Sequence, residues 1–258
     1  MPRFAANLSF LFTEQPFLER FAGAARAGFD AVEFLTPYEF PATEIADAAR
    51  AAGVEIVLFN APPGDVRGDF GLAARPGREA DLRMGVELAL NYALALAVPR
   101  VHVLAGLGDP ADAAAAAAYR SNLAYAAEKA AVQAVDILIE PLSARSRAGY
   151  FLRDFDVARQ VIADVGAPNL KLQFDIFHRQ GLHGDVLAGL TELLPVIGHI
   201  QVASVPNRHE PGSGELADVR IFEALDALGY AGAIGAEYRP STATTEESLG
   251  WFEPYRRR

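Results

Sequence analysis

The chain has 258 residues, 51% of them hydrophobic and 22% charged, which fits a soluble globular protein with ample core. A formal net charge of −10, with its only basic run at the terminal residues 256–258, argues against a broad nucleic-acid footprint. There is no cysteine, so disulfides and thiolate chemistry are excluded and a reducing compartment is compatible.

The N-terminal stretch MPRFAANLSFLF carries one arginine, and Asn7 and Ser9 interrupt its apolar run with no small-residue cleavage site behind it. It reads as a first strand over 4–9, not as a signal peptide. Further strand-like runs follow at 31–35, 55–60, 100–106, 137–142, 170–176, 198–204 and 233–238. Alanine-rich stretches of helical period separate them, at 16–27, 42–52, 77–97, 112–134, 154–164, 184–195, 218–228 and 245–253. Glycines after Ala27, Ala52 and Leu228 suit helix ends. Asp109 and Asp112 read as cap residues before the alanine run. No apolar stretch approaches the ~20 residues of a membrane span, so a cytoplasmic protein with no membrane partner is expected.

Eight strand-then-helix units in a chain of this length predict an α/β fold, the (β/α)8 TIM barrel, as a single domain over 1–258. A doubly wound sheet is disfavoured because FLFTEQP, not a glycine-rich turn, follows the first strand. Active sites of such barrels lie at the C-terminal ends of the strands. Three long polar loops follow strands there: 61–76, 143–153 with its three arginines, and 204–217.

Polar residues interrupt the last four strand runs: Glu140 in ILIEPL, Asp175 in LKLQFDIFH, Gln201 in IGHIQVAS and Glu237 in AIGAEYRP. Burying each alone is costly, so such groups need partners or a metal. Three carboxylates and an amide oxygen form a hard-cation set, which predicts Mg²⁺ or Mn²⁺. The competing readings are local. Glu140 and Glu237 could be interior carboxylates neutralised by Lys171 or an arginine, Asp175 a helix cap, and Gln201 a glutamine held by backbone.

His178, at the tip of its strand, is expected to contact a substrate oxygen, with Arg208 gripping a substrate carboxylate. Glu33 and Asn60 are candidates to line the mouth. His199 shares the strand face of Gln201 and reads, like His102, as a satisfied core histidine. His183, His209 and Glu210 read as loop residues. No Ser-His-Asp arrangement, P-loop or HExxH motif is present.

Taken together, RFAANLSFLF, AGFDAVEFLTPYEFP, VLFNAPPGD, ILIEP, NLKLQFDIFH, IGHIQVA, RHEPGSGE and AEYRP resemble the hydroxypyruvate isomerase family of xylose-isomerase-like TIM barrels, which includes 2-oxo-tetronate isomerases. The resemblance spans about residues 2–255. It implies that Glu140, Asp175, Gln201 and Glu237 bind a divalent cation, that Glu140 and Glu237 are the acid/base pair, and that His178 and Arg208 line the substrate. It also implies a small oxo acid or ketose substrate and the self-association common in the family. This chain departs from the usual pattern at Leu142-Ser143, where family members carry asparagine, at Ser204, where they carry aspartate, and at Val66, where tryptophan is common. The expected reaction is isomerisation of hydroxypyruvate or a four-carbon oxo-tetronate through an enediolate. The alternatives are a ketose 3-epimerase, an endonuclease-IV-like phosphodiesterase, and a non-catalytic sugar-acid-binding barrel. Five histidines and the acidic charge speak against the phosphodiesterase.

Overall fold

A computed structural model describes residues 1–64 and 68–256. Val66 and the end of the basic tail lie outside the described residues. Eight parallel strands close into a barrel in chain order: β1 (Arg3–Asn7), β2 (Ala31–Glu33), β3 (Glu55–Asn60), β4 (Arg100–His102), β5 (Asp136–Ile139), β6 (Leu170–Asp175), β7 (Ile197–Val202) and β8 (Ala233–Ala236). The helices between them are α1 (Arg20–Arg26), α2 (Ala42–Ala52), α3 (Glu79–Leu96), α4 (Ala113–Ala131), α5 (Phe155–Val165), α6 (Ile176–Leu182), α7 (Val186–Leu193) and α8 (Asp218–Ala227). Among the described residues no helix is long and apolar enough to cross a membrane.

Strand β3 keeps the bounds of its apolar run, while the other strands are shorter than theirs because the backbone leaves the ladder where the loops at the C-terminal ends begin. Two further differences have physical causes. The expected helix 245–253 is a 3₁₀ stretch, Glu246–Tyr255, with Pro254 inside it. Helix α6 had no counterpart in the helix-period reading. It starts directly at the end of β6, with Asp175 as its N-cap: Oδ1 accepts from the Phe177 amide at 2.8 Å. Asp112 likewise caps α4, accepting from the Ala114 amide at 2.9 Å.

The chain divides into two compact units. The first comprises Met1–Val57, Asp175–Leu194 and His199–Arg258. Its core is aromatic at the N-terminal end of β1, where Phe4 meets Phe222 and Trp251 edge-on, each at 5.0 Å, and Phe29 stacks on Phe252 at 4.0 Å. Strand register sets Asn7 beside Glu33, and Gln201 beside Gly235. Arg256, expected in a solvated tail, pairs with Glu253 at 2.9 Å.

The second unit comprises Leu58–Phe174 and Pro195–Gly198. Buried Tyr119 and Phe151 meet at 5.2 Å, as do Phe155 and Phe174. Buried Asn122, on α4, donates to the Ala73 carbonyl at 2.9 Å and so ties the helix to the loop after β3. Each unit therefore carries its own apolar interior, and polar side chains collect at the strand ends.

Candidate active site

The strand order places the candidate donors at the C-terminal ends of consecutive strands. Glu140 directly follows β5, Asp175 ends β6, Gln201 is the penultimate residue of β7, and Glu237 directly follows β8. All four are buried.

In the first unit Asp175 and Glu237 meet on one guanidinium. Arg208 Nη2 lies 3.2 Å from Asp175 Oδ2 and 3.2 Å from Glu237 Oε1, while Nε reaches the Glu237 carbonyl at 3.4 Å. The ring of Phe177 lies 5.0 Å from the guanidinium carbon and that of Phe10 5.5 Å, which holds the cation between two aromatic faces. Arg208 sits at φ 58°, a left-handed conformation that costs a non-glycine residue about 1–2 kcal/mol. Its loop is tied down by buried Ser204, whose Oγ accepts from the His209 amide at 3.1 Å and meets Ser213 Oγ at 3.0 Å. Ser204 thus has a structural task, at the position where the resemblance led us to expect aspartate. His209 accompanies the loop as expected, with Nδ1 2.8 Å from the Arg239 carbonyl.

His178 completes this cluster. Its Nε2 is 3.4 Å from Arg208 Nη1 and 3.5 Å from Asp175 Oδ2. Burial holds the ring neutral, lowering its pKa to about 4 against the raising effect of Asp175. A neutral ring can accept from Arg208 through the Nε2 lone pair. Burial also raises the Glu237 carboxyl well above the ordinary glutamate range, a shift that Arg208 opposes and that Asp175 and Glu33 add to. Asp175 therefore combines the cap reading with a place in the charged cluster.

Glu33, considered for the mouth, is fully buried and committed to internal donors. Its carboxylate accepts from Asn7 Nδ2 at 3.0 Å and Gln201 Nε2 at 2.7 Å, and lies 2.6 Å from His199 Nε2. His199 is a core histidine as read, but its Nδ1 has no hydrogen-bond partner. The sequence carried one signal for this hub, a charged residue inside the short apolar run AVEFL.

In the second unit Glu140 Oε2 lies 3.8 Å from His102 Nδ1. His102 is buried and stays neutral, its pKa lowered to about 3 by desolvation, and its Nε2 has no hydrogen-bond partner, so it is not the satisfied core histidine expected. Tyr150 Oη accepts from the Ala105 amide at 2.8 Å and is pushed up by burial, with Glu140 adding to the shift. Asn60, the last residue of β3, and Ser143 are buried.

The donor chemistry fits a hard divalent cation. In the first unit two buried carboxylates, Asp175 and Glu237, share a single guanidinium, and a third, Glu33, adds its field to that of Asp175 at Glu237, so the cluster can accept further positive charge. Within the first unit buried His178 offers a ring nitrogen 3.5 Å from Asp175 Oδ2, so this residue, which the sequence reading assigned to substrate, also has the chemistry of a metal ligand, whereas Glu237 is paired with Arg208.

The xylose isomerase-like TIM-barrel family matches residues 21–255. The chain belongs to this family. It is 52% identical over 259 residues to the 2-oxo-tetronate isomerase of Cupriavidus necator, covering 99% of each chain. It is 40% identical to the hydroxypyruvate isomerase of Escherichia coli, covering 99% of this chain and all of the relative. A solved structure from Brucella melitensis, described as an AP endonuclease of family 2, superposes with a TM-score of 0.97 at 44% identity and full coverage of both chains. With curated relatives of this kind over its full length, the protein is an enzyme of the isomerase type.

Proposed function

We propose that the protein is a divalent-metal-dependent isomerase of a small 2-oxo hydroxy acid, converting hydroxypyruvate to tartronate semialdehyde or 2-oxo-tetronate to 3-oxo-tetronate. The observation that carries this reading is the pair of buried carboxylates, Asp175 and Glu237, held on one arginine, with Glu237 shifted into the range of a general base working near neutral pH. The names of the full-length relatives supply the substrate class.

Glu140, Asp175, Gln201 and Glu237 would hold Mg²⁺ or Mn²⁺, with His178 beside them. When bound, the cation supplies charge stabilisation to substrate oxygens. The chain's own residues move the protons. One of Glu140 and Glu237 takes the proton from the hydroxyl-bearing carbon next to the carbonyl, which leaves an enediolate. The other returns a proton to the former carbonyl carbon, and the hydroxyl proton passes to the new hydroxyl. Burial strengthens Glu237 as the base, because its neutral form is the favoured one. Arg208 keeps Asp175 and Glu237 in place. The substrate carboxylate is held by Arg208 or by an arginine of the loop 143–153. A self-associated, cytoplasmic enzyme is part of the same reading, as is one domain over the whole chain.

A phosphodiesterase reading draws on the endonuclease name carried by the Brucella structure. The composition opposes it: five histidines and a net charge of −10 provide neither a multi-zinc cluster nor a basic nucleic-acid face. The discriminating experiment strips the protein with chelator, restores Mg²⁺ or Mn²⁺, and presents three- to six-carbon oxo acids, ketoses and abasic DNA. Metal-dependent interconversion of an oxo acid is the expected result. Cleavage of the DNA without turnover of any oxo acid or ketose would replace the isomerase reading.

A further inference from the structure

The hub around Glu33 is oriented from end to end. The side-chain amide nitrogens of Asn7 and Gln201 can only donate, and a carboxylate oxygen accepts from both. Gln201 turns its amide nitrogen to Glu33 Oε1 at 2.7 Å, which leaves its carbonyl oxygen to face away from that carboxylate oxygen. Asn7 is fixed by the same logic. Its Nδ2 donates to Glu33 Oε1 at 3.0 Å, while its Oδ1 accepts from the Ser9 amide at 3.1 Å. His199 Nε2 occupies the other carboxylate oxygen at 2.6 Å. Glu33, Asn7, His199 and Gln201 are at most 2% exposed, so water cannot substitute for any of these partners.

The sequence makes room for this arrangement at Gly235, the residue of β8 registered with Gln201. A Cβ there would overlap both oxygens of the Glu33 carboxylate. The glycine is thus a cradle for a side chain from another strand, which explains a glycine inside a buried strand where it otherwise weakens packing.

We propose that Glu33 is a positioning residue that fixes the Gln201 amide with its carbonyl oxygen presented to the cation, an assignment that rests on the metal-dependent reading above. A glutamine amide reverses its oxygen and nitrogen by one rotation. The reversed form would aim an N–H donor at a cation. Glu33 forbids that form, because reversal would set the amide oxygen against a carboxylate.

The test uses full-length, metal-free protein and Mn²⁺ as the probe. Mn²⁺ affinity is measured by calorimetry for wild type, Glu33→Gln, Gln201→Ala and the double variant, and exchange of the Gln201 side-chain amide protons is followed by ¹⁵N NMR. Glu33→Gln is expected to weaken Mn²⁺ binding at least about tenfold, the usual scale for a group that orients a metal ligand. It should also speed exchange of the Gln201 amide protons, and add little to Gln201→Ala. Gly235→Ala, which displaces the carboxylate but keeps its charge, covers the case in which Glu33→Gln does not fold, and should act in the same direction. Mn²⁺ affinity within twofold of wild type with unchanged amide exchange overturns the assignment, as do losses that multiply in the double variant. Wild-type protein that binds no Mn²⁺ overturns the metal reading alone, and the amide exchange then decides the role of Glu33.

Discussion

Replacing Arg208 by alanine removes the cation shared by Asp175 and Glu237. The Asp175 side chain is 1% exposed and that of Glu237 7%, so water cannot take over the charge. Leaving a buried charge unpaired costs about 3–5 kcal/mol, and alanine keeps the Cβ that strains the left-handed backbone at residue 208, so nothing is recovered there. We expect a net loss of about 3 kcal/mol near neutral pH by the same measure. The loss should depend on pH with a definite sign. The folded-state pKa of Glu237 is raised, so folding favours its protonated form, and its contribution falls as pH rises from the unfolded glutamate value towards the folded one. Without Arg208 the folded value rises further, and the gap between variant and wild type widens with pH. Mn²⁺ should narrow the gap by restoring positive charge. Urea unfolding at pH 6 and pH 9, with and without Mn²⁺, reads all three effects. A stability gap that is constant across pH and indifferent to Mn²⁺ would refute this electrostatic account of the cluster.

Three further expectations follow from the same geometry. Glu140→Gln and Glu237→Gln should each lower kcat by about 10²-fold or more, the usual contribution of a positioned proton-transfer group. Activity within tenfold of wild type for both would count against their roles. Below the raised pKa of Glu237, metal binding must displace its proton, so calorimetry in buffers of different ionisation enthalpy should show proton release that fades at alkaline pH. Ser204→Ala removes the hydroxyl that accepts from the His209 amide and meets Ser213, and should cost about 1–2 kcal/mol, seen as a lowered urea midpoint.

The alternation of strands and helices was legible because the strands are short and mostly apolar, while long helices such as α3 and α4 are rich in alanine. The helix expected at 42–52 is found at those bounds. Helix α6 showed in the sequence only through the alternative reading of Asp175 as a helix cap, because that residue ends a strand and caps a helix at once, leaving no spacer to mark the change. The donor residues stood out as polar groups in apolar runs, and the structure sets each at or beside a strand end. What no local pattern could show is partnership across long stretches of chain. Glu33 meets His199 and Gln201, which follow it by 166 and 168 residues. Gly235 reads as an ordinary glycine until the Glu33 carboxylate is placed against it. The pairing of Arg208 with Asp175 and Glu237 could not be read locally, because the carboxylates lie 33 and 29 residues away along the chain.

The most direct measurement of the proposed chemistry is the fate of the substrate's carbon-bound hydrogen in deuterated water. With Mg²⁺ or Mn²⁺ present, the account predicts deuterium at the carbon beside the carbonyl of one small oxo acid, and none after chelation or in the Glu140→Gln and Glu237→Gln variants. Label entering equally without the metal, or in both variants, would contradict it, as would the absence of label from every oxo acid and ketose offered.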